Sequence, residues 1–200
     1  MNKTKFTANE VSLVALFAAL TAIGGFIRLP IPYVPPTLQT LMVMFSGLLL
    51  GGKLGAMSQL IYLLIGLLGL PVFAYGGGPG YVLQPTFGYV MGFIPGAYIL
   101  GKLTERKQKI SRPFLILAIL SCILTIYALG TTYLCLNIKF IQHKEISLFL
   151  AFKIGFLAPL PADLLKLSVV VAVGQGLREK MAEYLPLGDS VAGAKPDYAG

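Results

Sequence analysis

Most charged residues of this chain stand between its apolar runs rather than inside them. Only 12% of the 200 residues are charged, 56% are hydrophobic, and the mean hydropathy is +0.79. A soluble domain of this length rarely reaches such values, so the chain reads as an integral membrane protein. The formal net charge of +8 does not point to nucleic acid, because Lys and Arg flank the apolar runs as membrane topology demands. Cys122 and Cys135 are the only cysteines. They read as small apolar helix residues, without a disulfide or metal framework. The polar start, Met1 to Glu10, leads into an apolar run too long for a signal-peptide core, so it reads as a retained first helix.

A spanning helix needs roughly 20 largely apolar residues. Six segments approach this: Val11 to Ile27, Leu38 to Gly51, Leu54 to Leu70, Thr86 to Leu100, Pro113 to Leu136 and Pro161 to Gly176. The expectation is an all-α membrane protein with one six-helix domain over residues 1–185 and a polar tail over 186–200. Six spans put both termini on one side. The run Lys102 to Arg112 assigns that side to the cytoplasm, together with Lys3, Lys5, Lys53, Arg178, Lys180 and Lys195. Arg28, Lys139, Lys144, Lys153 and Lys166 fall outside.

Three segments begin alike: Pro36-Thr37-Leu38-Gln39, Pro85-Thr86-Phe87-Gly88-Tyr89 and Pro161-Ala162-Asp163-Leu164-Leu165-Lys166. Proline suits a first helical turn, where its missing N–H is not needed. All three would run inward from the outer side, so three positive helix ends and their polar groups would converge there. Pro36-Thr37 to Gly52-Lys53-Leu54 also has the spacing of Pro85-Thr86 to Gly101-Lys102-Leu103. Shared membrane grammar and a true internal repeat both account for this echo.

Asp163 and Lys166 lie three positions apart, on one helical face, where an apolar run has begun. Ionisable groups at membrane depth face a cavity or each other. One reading is a mutual pair near the interface. The other is a ligand site, favoured by a lysine beside a positive helix end, where a cation needs an offset. Gln39 offers amide donors and an acceptor, with Thr37 and Thr40 beside it; facing water is its alternative. Tyr89 supplies an aromatic wall with a hydroxyl tip, or belt packing. Phe73 and Tyr75 flank the loop Tyr75-Gly76-Gly77-Gly78-Pro79-Gly80-Tyr81 and could close over a bound molecule. Ala15, Ala18, Ala19 and Ala22 give small-xxx-small registers for close helix packing. The sequence holds no Ser/His/Asp set, HExxH or phosphate loop, so neither catalysis, nor a metal, nor ATP hydrolysis is expected of this chain.

Several blocks together resemble the BioY family, the biotin-specific substrate-binding (S) components of energy-coupling factor (ECF) transporters. They are Pro32 to Leu41, Gly47 to Ala56, Gly69 to Ala74, Pro85 to Tyr89 with Gly92-Phe93, and Pro161 to Lys166. Ala162 and Phe87 stand where glycine is more usual. Val90 stands where some members carry a basic residue, and residues 137–157 match poorly. The resemblance implies a six-helix S component in the bacterial cell membrane that captures extracellular biotin for ATP-driven uptake, biotin being substrate rather than cofactor. It also implies a transmembrane coupling protein and two cytoplasmic ATPase subunits as partners, with Ala15 and Ala19 contacting the coupling protein. Asp163 would accept from the biotin ureido ring. Lys166 would donate to it or offset Asp163, and Thr37, Gln39, Phe73, Tyr75 and Tyr89 would complete the site. The rival expectations are an S component for another vitamin and a self-sufficient secondary transporter.

Overall fold

A computed structural model describes residues 6–185 except Pro32, Gln108, Ala182 and Glu183. The tail 186–200, Lys3, Lys5 and Lys195 lie outside the described residues. The described chain is a helical bundle: α1 Ala8–Phe26, α2 Gln39–Leu67, α3 Phe87–Thr104, α4 Arg112–Leu136, α5 Leu148–Phe152 and α6 Leu160–Lys180. A π-helical turn, Asn137–Ile141, extends α4, and another, Lys153–Leu157, leads from α5 toward α6. Among the described residues, four stretches are long and apolar enough to cross a membrane: Ala8–Phe26, Gln39–Leu67, Arg112–Ile141 and Leu148–Lys180.

The expected second and third spans form one helical stretch, α2, with a sharp reversal inside it. Gly51 has φ 78° and ψ −179°, a combination that strains any residue with a Cβ. The reversal follows from a hydrogen bond: Gln59 Nε2 donates to Ser46 Oγ at 3.1 Å. In an unbroken helix two residues 13 apart would be separated by roughly 20 Å along the axis. The two limbs of α2 therefore pack side by side. Gln59 also donates to the Thr21 hydroxyl of α1 at 3.3 Å, so one buried amide ties three helical segments together.

The helix starts differ in one respect from the sequence expectation. Only in α6 and α4 does proline occupy the first turn. Pro36 and Pro85 precede their helices, whose N-caps are Leu38 and Thr86. Proline biases the residue before it away from helical geometry, so here it ends the incoming loop. The start of α2 is tied down by Thr37, whose hydroxyl accepts from the Gln39 backbone N–H at 3.2 Å. The start of α1 carries a reciprocal cap that the sequence reading did not identify. Thr7 Oγ1 accepts from the Glu10 N–H, and the Glu10 carboxylate accepts from the Thr7 N–H at 2.7 Å.

The closest helix crossing lies at the end of the bundle that holds the Gly51 turn. A Cβ on Gly101 of α3 would sit 2.2 Å from the Gly52 nitrogen and 2.3 Å from the Gly51 carbonyl carbon. Here Gly52 and Gly101, equivalent in the sequence echo, bring α2 and α3 backbone to backbone. The same end holds the Lys102–Glu105 ion pair at 2.7 Å. Arg178 of α6 is buried there, and its Nη2 donates to the Thr104 carbonyl at 2.9 Å. The beginning of α1 joins this end too, because Asn9 Nδ2 donates to the Tyr184 carbonyl at 2.8 Å. Both ends of the described chain thus lie on the same side of the bundle.

Candidate functional site

At the opposite end the starts of α2, α3 and α6 converge, joined by the middle of α4. They surround a cleft with an empty volume of about 480 Å³, its open mouth included. Val34, Pro35 and Pro36 form one lip, and Ala74 and Tyr81 another. Val90, Phe93 and Tyr89 of α3 make the apolar wall, and Pro159 and Asp163 come from the α6 side.

The polar floor centres on Asp163, which is only 3% exposed. Its Oδ1 accepts from Lys166 Nζ at 2.5 Å and from the Thr40 hydroxyl at 2.7 Å. Lys166 also donates to Thr40 Oγ1 at 2.9 Å, closing a three-membered ring of contacts. Asp163 Oδ2 accepts from the Tyr127 hydroxyl at 2.6 Å. A buried ion pair is tolerable only when further hydrogen bonds satisfy its remaining sites, and Thr40 and Tyr127 supply them. A carboxylate oxygen can accept two hydrogen bonds. Oδ1 already takes two and Oδ2 takes one, so the remaining acceptor capacity belongs to the oxygen shared with Tyr127. Asp163 and Tyr127 line the cleft. The floor can therefore accept an N–H donor.

Of the seven expected binding residues, the fold brings Thr37, Gln39, Tyr89 and Asp163 to the cleft surface. Gln39 is held from both ends of its amide: Oε1 accepts from Thr37 Oγ1 at 3.0 Å, and Nε2 donates to the Tyr62 hydroxyl. Tyr89 donates to the Gly155 carbonyl at 2.7 Å, which fixes its ring against the π-helical turn before α6. Lys166 lies behind Asp163 rather than on the lining. Phe73 forms a second layer, buried edge-on to Tyr62 at 5.4 Å and beside Tyr81 at 4.4 Å. Tyr75 stays exposed at the mouth, where the Arg28 guanidinium lies 5.2 Å from its ring centroid.

The sequence reading missed Tyr127 as a site residue. Its signal was a phenol within an apolar run, whose hydroxyl demands a partner when buried. Tyr127 is edge-on to Phe156 at 5.1 Å and to Tyr89 at 6.2 Å. The poorly matching segment 137–157 thus supports the site indirectly, with Gly155 holding Tyr89 and Phe156 packed on Tyr127. Val90 lines the cleft, whereas Phe87 packs edge-on to Tyr133 at 5.7 Å.

A sequence model described as the BioY family matches residues 1–183. The chain belongs to the BioY family. A relative in Lysinibacillus sphaericus named "Probable biotin transporter BioY" is 44% identical over 151 residues, covering 76% of this chain and 77% of that protein. The Biotin transporter BioY of Thermotoga maritima is 34% identical over 169 residues, covering 84% and 95%. The fold is that of a solved S-component for biotin from an ECF-type ABC transporter. Its TM-score is 0.76 at 24% identity, covering 88% of this chain and 95% of that one.

The alanine positions of α1 fall on a second feature of this BioY-family chain. Ala15, Ala18, Ala19 and Ala22 line an open apolar groove between α1 and the second limb of α2, with Ile61 and Ile65 opposite. Ala15 and Ala19 are exposed in it, and Ala18 is buried at its base.

Proposed function

We propose that the chain is a membrane S component that binds biotin in the cleft and delivers it for ATP-driven uptake with an ECF coupling module. In this reading the two limbs of α2 each cross the bilayer, and with α1, α3, α4 and α6 they make six spans. The cleft end faces outward. The basic end, with Lys53, Lys102, Arg106 and both ends of the described chain, faces the cytoplasm of a bacterial cell. The observation that carries the reading is the Asp163 carboxylate, buried at the floor of an apolar cleft with acceptor capacity on Oδ2. Biotin presents two ureido N–H donors on an apolar bicyclic ring. One N–H would reach Asp163, and Tyr89, Val90 and Phe93 would flank the ring. Lys166 holds the carboxylate in place, and Gln39 and Thr37 complete the polar rim.

Calorimetry of the purified chain with biotin tests this reading. Saturable one-site binding is expected, and its absence contradicts the reading. Tyr127→Phe keeps the ring but removes the donor that orients Oδ2. It is expected to weaken binding by about 1 kcal/mol, roughly fivefold in Kd. An unchanged Kd would take Tyr127 out of the site.

The groove on α1 is proposed to receive the transmembrane coupling protein, which connects the chain to two cytoplasmic ATPase subunits. Small side chains allow close approach of a partner helix in lipid, where packing rather than hydrophobicity drives association. Tryptophan at both Ala15 and Ala19 should leave biotin binding by the isolated chain intact and abolish copurification with the coupling protein. Undiminished copurification would place docking on another face.

A further inference from the structure

Tyr62 stands between the groove and the cleft: it lines the one and is bonded to Gln39 of the other. The side chain is 1% exposed, and the residue belongs to the lining of the α1 groove. Its hydroxyl accepts from Gln39 Nε2, a side chain of the cleft, and donates to the Val72 carbonyl at 3.2 Å. Val72 itself lines the groove, and its successor Phe73 packs on Tyr81 at the cleft lip. A second contact joins the same points independently. A Cβ on Gly25 of α1 would meet the Val72 carbonyl oxygen at 2.8 Å and Gln39 Nε2 at 2.9 Å. The cleft end of α1 thus abuts both partners of the Tyr62 hydroxyl. The approach is too close there for even a Cβ on α1 to fit without displacing one of them.

We propose that Tyr62 is a positioning residue that couples the groove to the cleft: ligand in the cleft changes the groove, and a partner helix in the groove changes the hold on the ligand. This rests on the reading of the cleft as the biotin site. Linkage requires the effect to run equally in both directions. The hydroxyl is the coupling element, because it is bonded both to a cleft side chain and to the backbone of the groove wall. Release of ligand on docking would follow from withdrawal of Gln39 as Tyr62 yields.

The chain contains no tryptophan, so one introduced indole reports alone. Ile23→Trp places it in the groove, and Leu117→Trp places it on the exposed face of α4 as a control. Biotin is titrated into each variant in nanodiscs, with binding measured separately by calorimetry. Emission from the Ile23→Trp protein is expected to shift with the calorimetric midpoint, and the control is expected not to respond. Adding Tyr62→Phe should abolish the shift while biotin still binds. Biotin binding without a shift, an equal shift in the control, or a shift that survives Tyr62→Phe would each overturn the proposal. If Tyr62→Phe itself prevents binding, the contrast between the two tryptophan positions decides. Failure of the unsubstituted protein to bind biotin is a different result and falls on the reading of the cleft.

Discussion

Asparagine in place of Asp163 is expected to raise the Kd for biotin by roughly 10- to 150-fold, the loss of about 1.5–3 kcal/mol that accompanies removal of a hydrogen bond to a charged group. The shape of the side chain is retained, so the apolar wall survives. The change also leaves the Lys166 ammonium, 7% exposed, without its counter-charge. Breaking a buried pair from one side destabilises by about 3–5 kcal/mol, and a fall in thermal midpoint should accompany the loss of affinity. The two effects can be separated. Lys166→Met added to Asp163→Asn removes the stranded cation and should recover much of the stability without recovering binding. A double variant that regains both would show that Asp163 serves the fold alone. This comparison is needed because the two residues share one hydrogen-bond network, where single changes are not additive.

Leucine in place of Gly101 is expected to harm the fold without touching the cleft. The added Cβ would press on the Gly51–Gly52 backbone within 2.2–2.5 Å, and backbone cannot swing aside as a side chain can. The α2–α3 crossing would have to open at the base of the hairpin, with a cost of about 3 kcal/mol, the upper part of the range for overpacking. A large drop in the unfolding midpoint in detergent is the expected readout. Leucine at Gly176, where a Cβ meets nothing within 4 Å, serves as the control. Equal midpoints for the two would mean that the crossing does not hold the bundle together. The hairpin positions Ser46 and Gln59 below the cleft, so reduced biotin binding should follow the loss of stability rather than precede it.

The sequence made the long apolar helices and the polar floor readable for a simple physical reason. Apolar runs of membrane length have few alternatives, and a charge inside such a run, as at Asp163 and Lys166, must be paired or functional. The proline-led helix starts were legible as punctuation, but their placement was not: at α2 and α3 the proline ends the loop and a threonine follows. The end of an apolar segment at Gly51 was legible. That a single glycine conformation returns the chain directly into the next limb depends on a dihedral angle no composition encodes. Tyr127 was not legible as Asp163's partner because 36 residues separate them, and only the packing of α4 on α6 brings them together. Residues 137–157 were opaque because two π-helical turns break the 3.6-residue period on which pattern reading depends. Lys166 and Phe73 show a related limit. The sequence marked both as polar or aromatic near the site, yet which layer they occupy is decided by the neighbours they meet.

The central claim is that the carboxylate at the floor of the cleft recognises the ureido head of biotin. The most direct measurement is a structure of the chain with biotin bound. A ureido nitrogen at about 2.7–3.2 Å from Asp163 Oδ2, with the ring against Tyr89 and Phe93, is the predicted result. Biotin seated elsewhere, or inserted with its carboxylate tail toward Asp163, would contradict the account.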